Sequence, residues 1–190
     1  MLNIALFGTS ADPPTAGHLA ILEWLSARYD LVAVWASDNP FKQGQTPLEH
    51  RNSMLGLLIK ETKLANIRLS EDLSDKRSLI SVQKAQEIWG KDQHFTLVIG
   101  SDLLGQLPNW YHSQELFKLV DIMIISRPGF PINPEDLNTI KQKGGNYRIG
   151  DLQGLKTSSS AYRESQNEES ITNRVKHYIE QAQLYVKRTS

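Results

Sequence analysis

The sequence predicts an α/β fold in which an open parallel β-sheet is covered by helices on both faces. Short apolar runs, several of them rich in β-branched residues, alternate along the chain with amphipathic stretches of helical spacing. Continuous apolar runs are typical of strands that are buried on both faces, as in parallel sheets. Repeated alternation of strand and helix favours right-handed crossover connections, which leave helices on both sides of the sheet. The length of 190 residues favours a single domain.

The predicted strands are the apolar runs at residues 2–8, 29–37, 66–70, 94–100, 120–126 and 146–150. A first helix is predicted over residues 19–27, where apolar residues recur at helical spacing. A second helix is predicted to begin behind Thr46 as N-cap, with Pro47 at its first position and Glu49 closing a capping box, and to extend to about Glu61.

Two more crossover helices are predicted, over residues 78–90 with Gly90 as the stop, and over residues 113–120. Beyond residues 127–131 the alternation loosens. The chain then ends in one apolar helix face that extends from Ile171 to Tyr185. A small C-terminal helical part, over about residues 151–190, is therefore expected within the single domain.

Composition excludes several classes of function. The 21 basic and 21 acidic residues give a formal charge of zero, so no global field attracts a nucleic acid or an acidic membrane. The absence of cysteine excludes disulfides, thiolate zinc sites and cysteine nucleophiles. No apolar run approaches membrane-spanning length, and the first strand does not read as a signal peptide, so a cytoplasmic location is expected.

The joint between the first strand and the first helix, "GTSADPPTAGH" at residues 8–18, is the first candidate site. Ligands of open parallel sheets lie past the carboxyl ends of the strands. Gly8 is expected to allow strained backbone angles, so that the amides of Gly8, Thr9 and Ser10 turn toward an anion. The alternative is an ordinary turn rich in glycine and proline.

The end of this joint adds side chains suited to phosphate. Thr15 and His18 are three residues apart at the start of a helix and fall on one face beside its positive end. Gly17 between them is expected to leave room for a bulky ligand. The alternative for His18 is a partly buried helix cap.

A second candidate site is "TSSSAYRES", at residues 157–165. A serine among Ser158, Ser159 and Ser160 can cap a new helix, and Arg163 lies on that helix. Its first amides and the arginine would converge on phosphate oxygens. Taken alone, the stretch also fits a flexible serine-rich surface loop.

A third segment extends from the fourth strand to "RPGF" at residues 127–130. Asp102 follows the strand end, where a carboxylate can accept hydrogen bonds from a ligand, and Gly100 permits close approach. Trp110 and Tyr111 offer flat aromatic faces. Tryptophan more often packs in a core, but a core role fits poorly after Pro108 and Asn109 in a polar loop.

These segments carry a family resemblance. Residues 8–18 resemble the G-x-[ST]-F-D-P-x-[HT]-x-G-H motif of the nucleotidylyltransferase superfamily, and residues 157–163 resemble its I-S-S-T-x-I-R motif. The third segment resembles nicotinate mononucleotide adenylyltransferases in its I-G-[AS]-D, W-Y and R-P-G elements. Ala11 stands where phenylalanine is common, and Thr15 where histidine is common. Threonine in that slot resembles phosphopantetheine adenylyltransferases.

Two weaker matches extend the resemblance. "SDNPFKQGQ", at residues 37–45, resembles the P-P-H-K loop of the family, with Phe41 in the histidine position and Lys42 in place for a phosphate. "SLISV", at residues 78–82, resembles the S-Y-T-x-D segment, with Ser81 as the hydroxyl. The resemblance thus covers essentially the whole chain.

The resemblance implies a Rossmann-like fold and transfer of AMP from ATP to nicotinate mononucleotide, giving nicotinate adenine dinucleotide and pyrophosphate. It implies catalytic roles for His18, Thr15, Lys42 and Arg163. It implies ATP contacts at Gly8, Thr9, Ser10, Gly17, His18, Gly100, Asp102, Ser158, Ser159, Ser160 and Arg163. It implies pyridine nucleotide contacts at Lys42, Ser81, Trp110, Tyr111 and Arg127.

Magnesium is the implied cofactor, bound mainly through ATP phosphates with no metal site of protein ligands. The partners expected are ATP and nicotinate mononucleotide, with no nucleic acid and no membrane, and the family often forms homo-oligomers. Two alternatives remain open: an acceptor such as nicotinamide mononucleotide or phosphopantetheine, and a nucleotide-binding homologue that lost catalysis.

Overall fold

The computed structural model describes residues 1–38, 43–152 and 157–186. Its centre is a six-stranded sheet of order β3-β2-β1-β4-β5-β6, in which every pairing is parallel. The strands are β1 (Asn3–Thr9), β2 (Leu31–Ala36), β3 (Ile67–Leu69), β4 (His94–Gly100), β5 (Asp121–Ile125) and β6 (Tyr147–Ile149). The α/β prediction is confirmed. The strand order reverses between β1 and β4, so a crevice opens at the carboxyl ends of these two strands.

The α-helices of the described residues are α1 (Ala16–Ser26), α2 (Leu48–Thr62), α3 (Ser78–Trp89), α4 (Ser113–Leu119), α5 (Pro134–Gln142), α6 (Ser159–Ser165) and α7 (Asn173–Gln181). The predicted stop of α3 is confirmed, since Gly90 follows it with a φ of 95°. The capping box predicted for α2 is wrong. Pro47 is itself the N-cap, with an extended ψ of 143°, and the carbonyl of Thr46 accepts a hydrogen bond from Arg51 Nε at 2.8 Å.

Two helical segments differ from the sequence prediction. Helix α5 was not predicted, although the Asn133 side chain caps it by accepting from the Glu135 N–H at 3.0 Å. Helix α7 is shorter than the apolar face between Ile171 and Tyr185. It ends because the chain adopts positive φ at Gln183 and Tyr185, which no α-helix continues.

Two apolar clusters cover the two faces of the sheet. Successive residues of β1 alternate between them, with Ile4 and Leu6 in one cluster and Ala5 and Phe7 in the other. Helices α3, α4 and α5 contribute to the first cluster, and α1, α2, α6 and α7 to the second. The prediction of helices on both faces is confirmed. None of the described helices is long and apolar enough to cross a membrane.

Candidate active site

The loop after β1 and the start of α6 meet at the carboxyl edge of the sheet. Ser159 Oγ donates a hydrogen bond to the Pro13 carbonyl at 2.8 Å, and the Arg163 guanidinium donates to the Asp12 carbonyl. A Cβ atom at Gly17 would lie 3.0 Å from Thr157 Oγ1. The structure therefore brings the two candidate phosphate motifs into one site, as the sequence interpretation requires.

The packing at Gly17 also corrects one expectation. The space beside this glycine is filled by Thr157 of the second motif, rather than left open for a ligand. Gly17 lets the segment that precedes α6 approach the first turn of α1, because any larger residue would press on the Thr157 backbone and hydroxyl. It thus contributes to the site by joining its two halves.

Thr15 and His18 form a closed pair at the start of α1. The Thr15 backbone N–H donates to His18 Nδ1 at 3.0 Å, and Thr15 Oγ1 lies 3.0 Å from the same nitrogen. Since a backbone amide can only donate, Nδ1 is an acceptor, and the proton of the neutral ring is on Nε2. That Nε2–H faces Thr9 Oγ1 at 2.9 Å. The helix start thus selects one tautomer of His18.

His18 is neutral at physiological pH. Burial of the imidazole, aided by the positive charge of Arg127, lowers its pKa to about 4. Protonation of Nδ1 is also unfavourable because the Thr15 N–H already points at that nitrogen, so two N–H donors would face each other. His18 is therefore a neutral hydrogen-bond donor in this site.

Thr15 and Gly8 occupy places other than those predicted. Thr15 is completely buried and contacts His18, so its hydroxyl is not presented to a ligand. Gly8 is paired in the β1–β2 ladder, and a Cβ there would lie 2.8 Å from the Trp35 ring. Glycine is needed at position 8 so that the Trp35 ring can pack there, not to allow strained backbone angles. The left-handed residue of the loop is Ala11, with a φ of 43°.

Asp102 and Arg127 lie together beyond the ends of β4 and β5. Arg127 Nη1 donates to Asp102 Oδ2 at 2.8 Å, and both side chains lie over Gly100, where a Cβ would be 2.3 Å from Asp102 Oδ1. That second carboxylate oxygen is buried and has no hydrogen-bond partner among the described residues. It is an acceptor suited to a ligand hydroxyl or amine.

The remaining nucleotide-contact candidates surround this centre. Ser158 Oγ caps α6 by accepting from the Ala161 N–H at 3.1 Å, which confirms the predicted serine cap. Ser160 Oγ accepts from Arg163 Nη2 at 3.3 Å. The backbone carbonyl of Ser10 accepts from Arg51. Lys42 lies outside the described residues.

The aromatic pair differs from the prediction. Trp110 is half-buried and packs against the apolar cluster of α3, α4 and α5, because the short 3₁₀ turn that precedes it directs the chain back onto this face. It also lines a cavity of about 750 Å³. Tyr111 is exposed, but the Arg77 guanidinium lies over its ring at 4.1 Å. Ser81 is buried inside α3 and offers no exposed hydroxyl.

Arg51 is a site residue that the sequence interpretation missed. It is 2% exposed, and its guanidinium donates to the carbonyls of Ser10, Ser37 and Thr46 at 2.8–2.9 Å. It therefore ties the loop after β1 to the segment after β2. The sequence does place Arg51 close to the apolar residues of the predicted second helix, which indicates that it could be buried. It does not show which carbonyls Arg51 contacts, because tertiary packing brings them there.

The fold and site define a class of nucleotidyltransferase. The model of the cytidylyltransferase-like family matches residues 6–165, and the chain is a nucleotidyltransferase of this class. A curated relative from Synechocystis sp., named "Probable nicotinate-nucleotide adenylyltransferase", is 47% identical over 97% of this chain and 99% of its own length. A relative of the same name from Bacillus cereus is 31% identical with the same coverage. The chain belongs to the nicotinate-nucleotide adenylyltransferase family.

A solved structure has the same fold. Plasmodium falciparum nicotinic acid mononucleotide adenylyltransferase, complexed with NaAD, superposes with a TM-score of 0.82 at 22% identity, covering 97% of this chain and 98% of that one. The likeness of fold therefore extends over nearly the whole length of both chains.

Proposed function

We propose that this protein transfers AMP from ATP to nicotinate mononucleotide, giving nicotinate adenine dinucleotide and pyrophosphate. The observation that carries the proposal is the hydrogen bonding between the motifs: Ser159 and Arg163 of one motif contact the loop that leads to His18 in the other. Polyphosphate chemistry needs donors from several directions around one phosphorus, and this junction supplies them.

The chemistry needs alignment rather than a strong base. The phosphate of the mononucleotide is largely ionised near neutral pH, so one of its oxygens can attack the α-phosphorus of ATP directly. As that bond forms, the bond from the α-phosphorus to the bridging oxygen breaks and pyrophosphate leaves. The protein must hold both substrates in line and stabilise the negative charge that accumulates on the α-phosphate.

In this proposal His18 donates through Nε2–H to a non-bridging oxygen of the α-phosphate, in place of its present contact with Thr9. A neutral imidazole is suited to that role, because it stays a donor throughout the pH range in which the acceptor phosphate is ionised. Thr15 acts one step away, as a positioning residue that fixes the His18 tautomer.

Arg163 supplies the positive charge for the leaving phosphates, since its side chain is 40% exposed beside the loop. The hydroxyls of Ser159 and Ser160 lie on the same turn. Asp102 Oδ1 would accept from the adenosine part of ATP, and Lys42 would contact a substrate phosphate. Trp110 would face the pyridine, an electron-poor ring that favours an aromatic surface.

Magnesium would be held mainly by substrate oxygens. No group of three or more metal-binding side chains is assembled among residues 1–38, 43–152 and 157–186. No such group is needed, because magnesium keeps several of its waters and binds largely through substrate phosphates. When bound, Mg²⁺ would neutralise charge on the polyphosphate.

The acceptor is tested by a panel. The purified chain is incubated with ATP, Mg²⁺ and one of nicotinate mononucleotide, nicotinamide mononucleotide or phosphopantetheine, and pyrophosphate and adenylylated product are measured together. We expect the highest kcat/KM with nicotinate mononucleotide. A higher value with either other acceptor would overturn the substrate assignment, and ATP binding without pyrophosphate release for any acceptor would indicate a homologue that lost catalysis.

A further inference from the structure

Tyr185 near the C-terminal end reaches the loop of the first motif. After α7 the chain turns back, and Tyr185 Oη donates to Asp12 Oδ1 at 2.6 Å. The two residues are 173 positions apart in the sequence. Asp12 is only 4% exposed, so this hydrogen bond to a carboxylate is shielded from water. Such charge-assisted bonds are stronger than neutral ones.

Asp12 is also the residue that receives Arg163. Its carbonyl accepts from the Arg163 guanidinium, and its Oδ2 lies 3.8 Å from Arg163 Nη1. The tyrosine hydroxyl and the arginine therefore approach the same residue from two directions. Asp12 precedes Thr15 by three positions, so its placement also sets the entry of the chain into α1.

Tyr185 is itself fixed to α6, the helix that carries Arg163. Its ring packs edge-on against Tyr162 with centroids 6.0 Å apart, and its carbonyl accepts from Gln166 Nε2 at 2.7 Å. Burial and the hydrogen bond to Asp12 raise the pKa of Tyr185 far above its ordinary value. The phenol therefore remains a donor throughout the working pH range.

We propose that Tyr185 is a positioning residue for adenylyl transfer, which holds the Asp12 carboxylate and so keeps Arg163 available to the triphosphate. The inference rests on the proposed function. Without the hydroxyl, Asp12 loses a donor, and the gap of 3.8 Å to Arg163 is short enough to close into a direct ion pair. Arg163 would then be turned toward the loop and away from the leaving phosphates.

The test compares Tyr185→Phe with Tyr178→Phe. The second variant is a matched control, because Tyr178 Oη also joins the C-terminal part to the body of the protein, but its hydrogen-bond partner is His50 Nδ1, at 2.9 Å, rather than a residue of the loop. For Tyr185→Phe we expect kcat to fall about 10-fold and the KM for ATP to rise. A displacement of Arg163 by less than about 1 Å is enough to lower the rate by this amount. The KM for nicotinate mononucleotide should be unchanged. Tyr178→Phe should retain wild-type kinetics.

Hydrogen–deuterium exchange supplies a measurement independent of activity. Amides in a peptide covering residues 10–17 should exchange faster in Tyr185→Phe than in the wild type, and at the wild-type rate in Tyr178→Phe. Equal losses of activity in both variants, or wild-type kinetics and exchange in Tyr185→Phe, would overturn the proposal. If the wild type forms no dinucleotide, the proposed function fails, while loop exchange still decides whether Tyr185 holds Asp12.

Discussion

The backbone N–H of Thr15 donates to Nδ1 of His18 at 3.0 Å, and so the residue that caps α1 fixes the protonation of a side chain in its first turn. Because of this contact, the proton of His18 is on Nε2, and this N–H can exchange its contact with Thr9 for one with a phosphate. The consequences of this relationship can be measured in catalysis and in stability.

Replacing His18 with Ala should lower kcat for dinucleotide formation by about 100-fold or more, the scale for removing one donor that stabilises transition-state charge. The KM values should change little, because the donor acts mainly in the transition state. The measurement is steady-state kinetics with ATP and nicotinate mononucleotide. His94→Ala is the control, since His94 begins β4 at the opposite end of the sheet. Turnover near the wild-type value in His18→Ala would remove His18 from the mechanism.

The lowered pKa of His18 predicts a specific loss of stability in acid. In the unfolded chain His18 binds a proton below about pH 6.5, whereas in the folded protein it does so only below about 4. The contribution of His18 to the free energy of unfolding is therefore fully present above about pH 6.5. It decreases as the pH falls toward 4, by up to about 3 kcal/mol.

Urea unfolding of the wild type and His18→Ala at pH 7 and pH 4.5 isolates this contribution from other titrating groups. The difference in unfolding free energy between the two proteins should shrink as the pH falls. A difference that stays constant would show that His18 titrates at its ordinary pKa in the folded protein, and a difference that grows in acid would show that folding raises that pKa.

Trp110 is expected to affect both binding and stability. Because its ring packs against the apolar cluster and lines the adjoining cavity, Trp110→Leu should raise the KM for nicotinate mononucleotide and lower the melting temperature. The KM for ATP should stay near the wild-type value. Phe117→Leu is the control for packing alone, since Phe117 is buried in the same cluster. An unchanged KM for the mononucleotide in Trp110→Leu would remove the stacking assignment.

The sequence predicts those features that depend on neighbouring residues. The six strands, the glycine stop of α3, the Ser158 cap and the shared face of Thr15 and His18 all follow from local patterns. The roles of Gly8 and Gly17 could not be predicted, because the atoms that fill the space beside them belong to Trp35 and Thr157.

Long-range polar contacts escaped prediction for a similar reason. The sequence shows Arg51 only as an arginine of a predicted helix and Tyr185 only as an aromatic residue of the last helix face. Their hydrogen-bond partners, Ser10 and Asp12, come close only when the sheet and its helices are assembled. Local propensity carries no information about a carbonyl or carboxylate that is distant in the chain.

Arg51→Met should destabilise the protein by about 2 to 4 kcal/mol, because the half-buried carbonyls of Ser10, Ser37 and Thr46 would lose the donor that joins them. Arg51→Lys should recover only part of the loss, since one ammonium does not span the three acceptors. The measurement is urea unfolding. Arg28→Met is the control: Arg28 is 41% exposed, and its pairing with the exposed Asp151 should contribute little to stability. Equal effects of the two methionine variants would contradict a structural role for Arg51.

Gly17→Ala tests whether close contact between the two motifs is needed for activity. The added methyl group would lie 3.0 Å from Thr157 Oγ1 and 3.1 Å from the Thr157 carbonyl, so the segment that leads into α6 must move, together with Ser159 and Arg163. We expect a stability loss of about 1 to 3 kcal/mol from overpacking and a fall in kcat of about 10-fold.

Gly56→Ala is the matched control, because Gly56 is also helical and the added methyl group would only reach Leu69 Cδ2 at 3.4 Å. Helix propensity favours alanine at both positions, so a loss confined to Gly17→Ala measures the contact between the motifs. Wild-type stability and turnover in Gly17→Ala would mean that the two motifs need not touch for the enzyme to work.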